Sequence, residues 1–107
     1  ALAQDIGTTL GKVVRIDLGR AAFETDAHGA PALRPALDLG IRRMVSEISG
    51  EAVIIRLAWH VAAGADADEV AQGRALMRLV EKRVREEWRK AGQTQLRIET
   101  TIVRAVQ

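Results

Sequence analysis

The chain has 107 residues and a mass of 11.6 kDa, the size of one domain built on one core. Its 48% apolar and 28% charged residues exclude a disordered or collagen-like chain, and no run approaches the ~20 consecutive apolar residues that span a bilayer. Sixteen basic against fourteen acidic residues leave +2, a weak field for recruiting nucleic acid or lipid, and the lack of cysteine excludes disulfides, thiolate zinc sites and thiol nucleophiles.

Residues 1–11 are polar and carry Gly7, Thr8, Thr9 and Gly11, which reads as a linker or lead-in segment, with residues 12–107 as a single domain. No basic stretch followed by an apolar block, the mark of a signal peptide, is visible at the start. Gly7-Thr8-Thr9-Leu10-Gly11-Lys12 lacks the spacing of a phosphate-binding loop and precedes a strand where that motif needs a helix. Residues 12–18 alternate, with Val14, Ile16 and Leu18 on one side and Val13, Arg15 and Asp17 on the other, so they form a half-buried strand. Gly19 breaks or bulges it. After Phe23, residues 24–31 are a loop by composition.

The first helix is expected over 35–49. Leu33, Leu37, Ile41, Met44 and Ile48 share one stripe, Pro35 suits the first helical position and Gly50 suits the stop. Gly40 inside it costs about 1 kcal/mol relative to alanine, a cost that a close approach to a strand would explain. Residues 52–61 return to period two: Val53, Ile55, Leu57, Trp59 and Val61 form one face, and Ile54 and Ala58 keep the other partly apolar, as in a strand away from the sheet edge.

Residues 64–68 are a turn with Asp66 or Asp68 as helix cap. The second helix is expected over 69–91, stopped by Gly92, with Val70, Gly73, Met77, Val80, Val84 and Trp88 buried and Leu76 and Leu79 widening the stripe. The last strand, 95–106, places Leu96, Ile98, Thr100, Ile102 and Val106 on one side. One apolar stripe per helix makes the fold class α+β: a two-layer β-α-β-α-β sandwich with both helices on one face of a small mixed sheet.

Few residues point to chemistry. His60 with Asp66 and Asp68 is the nearest approach to a metal-ligand set, but it reads more simply as a surface histidine beside a capping aspartate. His28 lies in a loop without ligand-spaced partners, and Ser46 and Ser49 fall on or at the end of a helix, not on a nucleophile elbow. The second helix interleaves Arg74, Arg78, Lys82, Arg83, Arg85, Arg89 and Lys90 with Glu69, Glu81, Glu86 and Glu87. The Glu81–Arg85 and Glu86–Lys90 spacings favour a solvated face over a phosphate stripe. No nucleophile–base pair, metal set or cofactor loop emerges, so the chain reads as non-enzymatic, without cofactor or metal.

The order of elements, with Phe23-Glu24-Thr25-Asp26 after the first strand and Ala32-Leu33-Arg34-Pro35 entering the first helix, resembles the OmpA-like domain, the peptidoglycan-associating module of bacterial envelope proteins. The family's V-x-I-x-G-x-T-D-x-x-G strand has its counterpart in residues 53–64, and its L-S-x-x-R-A helix start in Val70-Ala71-Gln72-Gly73-Arg74-Ala75. The resemblance implies a stem-peptide site in which an acid and an arginine hold the ammonium and carboxylate of diaminopimelate. Arg74 takes the arginine position and Gly64 the loop glycine, while the acid position falls on Val61, leaving Asp66 and Asp68 as candidate compensating acids.

The family's last two strands are represented by the final strand alone. The resemblance thus implies a structural or assembly module of the periplasm or cell envelope with weak, altered or lost peptidoglycan binding. Its other expected partners are an envelope protein or a second copy paired through an edge strand. The alternative reading, from the arginines between 74 and 90, is a basic-helix module for an anionic partner, nucleic acid or an acidic protein. Of the two, nucleic acid is disfavoured by the weak net charge and by the presence of three aromatics alone.

Overall fold

The computed structural model describes residues 12–48, 52–92 and 95–106. The expectations for residues 1–11, Ser49 and Gly50 lie outside them. Among the described residues, five strands and two helices make an α+β fold: β1 (Lys12–Leu18), β2 (Phe23–Thr25), β3 (Pro31–Leu33), α1 (Pro35–Glu47), β4 (Val53–Val61), α2 (Ala67–Lys90) and β5 (Leu96–Arg104). β1, β4 and β5 form a parallel sheet in the order β1-β4-β5, and β2 and β3 form a separate antiparallel hairpin. Parallel and antiparallel pairings thus both occur, in two pieces.

Register fixes the two faces of the sheet. Ile16 lies beside Leu57 and Leu57 beside Thr100, and the whole row of Val53, Ile55, Leu57 and Trp59 turns toward the helices. Ile41 and Val45 of α1 and Met77, Val80, Val84 and Trp88 of α2 join that row in one core. Strand order increases in one direction from β1 to β5, so crossovers of a single hand put both helices on one face. The opposite face carries Arg15, Asp17, Arg56, His60, Arg97 and Glu99. Ile54 and Ala58 are buried there too, since β4 is the central strand.

Local chemistry explains the boundaries. α1 starts on Pro35, whose missing N–H would have had no partner in the first turn. Asp66 caps α2 by accepting from the Glu69 N–H at 2.9 Å, and the helix ends before Gly92, whose φ of +75° is cheap only for glycine. Gly73 has a different reason. A Cβ there would lie 2.5 Å from Trp59 Nε1, so the absent side chain lets the indole of β4 lie against the helix backbone. Phe23 also packs on Trp59, with ring centroids 5.7 Å apart and the rings tilted.

Four expectations need correction. Residues 24–31 are not simply a loop: Asp26 accepts from the N–H groups of His28 (2.8 Å) and Ala30 (2.9 Å), Gly29 takes φ +80°, and the turn joins two short strands. Leu33 belongs to that hairpin, and α1 buries Val45 in its place. Gly40 has open space around its Cβ position, so no close strand accounts for it. Val106 lies past the end of β5 and is 96% exposed.

Candidate functional site

Because β1, β4 and β5 run parallel, Leu18, Val61 and Arg104 end at one edge of the sheet, where the turn from β4 opens into the N-terminus of α2. Open sheets of this kind expose ligand-ready groups beyond the carboxyl ends of their strands. A depression of about 190 Å³ lies at this edge, lined by Val61 with Arg20, Trp59, His60, Ala62 and Glu69.

Arg20 enters from the 3₁₀ turn Arg20–Ala22 after β1, and its Nη2 donates to Gln72 Oε1 at 2.6 Å. Glu69 stands in the first turn of α2. Arg104 donates through Nη1 to the carbonyls of Ala65 (2.7 Å) and Ala63 (3.5 Å), fastening the turn that holds the depression's rim. One cation and one anion therefore border the same small volume. That is the minimum chemistry for a group carrying both an ammonium and a carboxylate.

The residues singled out from sequence are distributed differently. Val61 lines the depression, half-buried. Gly64 is exposed in the turn, Asp66 is occupied as the helix cap and Asp68 is exposed in the first turn of α2. Arg74 is exposed and does not line the depression. It and Gln72 stand about 100° to either side of the buried Gly73, so the Gln72 flank faces Arg20 and the Arg74 flank turns toward β5. Neither Asp66 nor Asp68 forms an ion pair with Arg74 among the described residues. Arg20 and Glu69 carried no motif, Gln72 fell on an unspecified position of the helix-start motif, and only the turn after β1 brings Arg20 across to α2.

His60 also departs from its expected surroundings. It does not join Asp66 and Asp68 in a ligand set: its Nε2 lies 2.7 Å from Asp17 on the open face of the sheet, and no three-residue metal cluster occurs among the described residues. His60, seconded by Arg15, holds the Asp17 carboxyl below its ordinary value. Along α2 the Glu81–Arg85 pair forms at 3.1 Å, whereas Lys90 reaches Glu87 (3.3 Å) in place of Glu86.

An ion-pair network joins the two helices. Arg83 spans from Asp38 (2.5 Å) to Glu87 (2.6 Å), its side chain one-fifth exposed. Its hydrogen bonds hold both carboxyls below their ordinary values and the guanidinium more firmly charged. Trp88 is buried as expected of a core anchor, with its indole N–H unpartnered.

No helix of the described residues is long and apolar enough to cross a membrane. No family model, curated protein or solved structure matches the chain.

Proposed function

We propose that this chain is a non-enzymatic, OmpA-like module of the bacterial envelope in the periplasm, serving a structural or assembly role, with a weakened and altered peptidoglycan site. The reading rests on the sequence resemblance from Lys12 through the last strand and on the alternation of strands and helices about one core. The observation that carries the altered site is the depression at Val61. The acid expected at that position is missing, Arg74 stands outside, and Arg20 and Glu69 border the same volume instead.

A zwitterionic end of a stem peptide would place its carboxylate on Arg20 and its ammonium on Glu69. An exposed pair of this kind gives modest affinity, because solvent screens both charges. The test is retention on diaminopimelate-containing sacculi at low ionic strength. The wild type is expected to bind weakly, with Arg20→Ala and Glu69→Gln each lowering retention several-fold and Arg74→Ala leaving it unchanged. Tight binding abolished by Arg74→Ala would return the site to the family's arrangement. Retention indifferent to all three changes would leave only the structural role.

A further inference from the structure

The flank of α2 that faces away from α1 overhangs the outer edge of β5. There Arg78, Lys82, Arg85 and Arg89 border a groove of about 590 Å³ together with Trp88 and Leu96, and the one acid on its wall, Glu81, is paired with Arg85. Arg78, Lys82 and Arg89 have no acidic partner among the described residues. Beneath the flank, β5 has one strand neighbour among the described residues, β4.

Hydrogen bonding tells which of its amides are left over. The Val53 N–H donates to Gln95 O at 3.3 Å and the Ala105 N–H donates to Val61 O at 3.0 Å, so odd-numbered residues of β5 turn their amides to β4. The alternation of a parallel ladder then leaves Leu96, Ile98, Thr100, Ile102 and Arg104 presenting theirs outward. Leu96, Ile98 and Ile102 are also partly buried against the core, forming an apolar ledge at the same edge.

We propose that this edge receives an extended acidic polypeptide segment as a fourth strand. The main-chain groups of β5 supply its pairing and the cations of α2 select its charge. The spacing agrees: carboxylates on alternate residues of a strand recur every ~6.7 Å, and cations four residues apart on a helix every ~6 Å. A second copy of the chain fits poorly. Antiparallel pairing of two β5 strands would bring the two basic flanks together, so like charges oppose the dimer. Nucleic acid would meet the charge but use neither the free amides nor the ledge, and Phe23, Trp59 and Trp88 are all buried and offer no stacking surface. The inference stands apart from the peptidoglycan reading, whose residues lie at the far end of α2.

Fluorescence anisotropy with a blocked, alternating glutamate–valine octapeptide at low ionic strength tests it. Binding is expected to fall at least tenfold in an Arg78→Glu/Arg89→Glu variant. A similar fall is expected in Thr100→Pro, which removes an outward amide without touching the bonds to β4; circular dichroism checks that both variants stay folded. Of two peptides N-methylated on alternate residues, only the one blocked on the amides facing β5 should lose binding. Equal binding by both methylated peptides would overturn strand addition. So would a lack of binding to the acidic peptide, tighter binding of duplex DNA, or a wild-type dimer whose formation excludes the peptide.

Discussion

On the α1 side of α2, Arg83 reaches Asp38 and Glu87 and is largely buried; on the β5 side, Arg74, Arg78 and Arg89 stand exposed with no acidic partner among the described residues. Both flanks border the same buried stripe of Gly73, Met77, Val80, Val84 and Trp88. What separates them is what lies opposite. α1 presents an acid in its first turn, where the helix dipole already favours it, and β5 presents an unpaired strand edge. An arginine against a second helix becomes part of the packing, and the same residue over an open edge becomes a recognition surface.

The largest expected effect breaks the shared support of both flanks. Gly73→Leu drives a side chain into the Trp59 ring and lifts α2 from the sheet, at a cost of about 3 kcal/mol in a urea melt. Stability within 1 kcal/mol of wild type would mean that Trp59 moves aside freely and that the stripe does not fix the helix.

Removing the charge on the α1 side should cost less. Arg83→Met keeps the stem but takes from Asp38 its nearer cation, leaving Arg42 at 3.3 Å, and is expected to cost about 1 kcal/mol at neutral pH. The sign of its pH dependence follows from the depressed carboxyl of Asp38. The wild-type advantage is full above the ordinary value of 3.8 and is lost as pH falls through the lower folded value. Wild type and variant should therefore converge in acid, measured as the difference between their melts from pH 7 down to pH 2. A gap that persists in acid would assign Arg83 a packing role instead.

The smallest effect on stability belongs to the β5 side. Arg78→Ala and Arg89→Ala should each stay within about 0.5 kcal/mol of wild type, because neither loses a partner. A larger loss from either would erase the distinction between the flanks.

Much of this architecture was legible in the residues. The spacing of Met77, Val80, Val84 and Trp88 gave the buried stripe of α2, and the alternation from Val53 to Val61 gave the central strand, since each reports a geometric period. The hairpin escaped because strands of three residues hold too few positions to display alternation. Asp26-Ala27-His28-Gly29-Ala30 between Phe23-Glu24-Thr25 and Pro31-Ala32-Leu33 was the available signal, a short glycine-containing turn between two runs. The depression at Val61 had no comparable signal. Arg20 and Glu69 are far apart in the chain, and each alone is an ordinary surface residue.

Sequence by itself determined which residues are apolar and at what period, and hence two amphipathic helices, the strands β1, β4 and β5, a helix cap at Asp66 or Asp68 and the stop at Gly92. Those choices depend on interactions within a few residues. Tertiary structure alone decided that His60 meets Asp17, that Arg83 joins the two helices, that Arg20 and Glu69 share one depression while Arg74 does not, and that a row of cations overhangs the outer edge of β5. Such neighbours depend on strand order and on the rotation of a helix about its axis, which no local stretch of residues encodes.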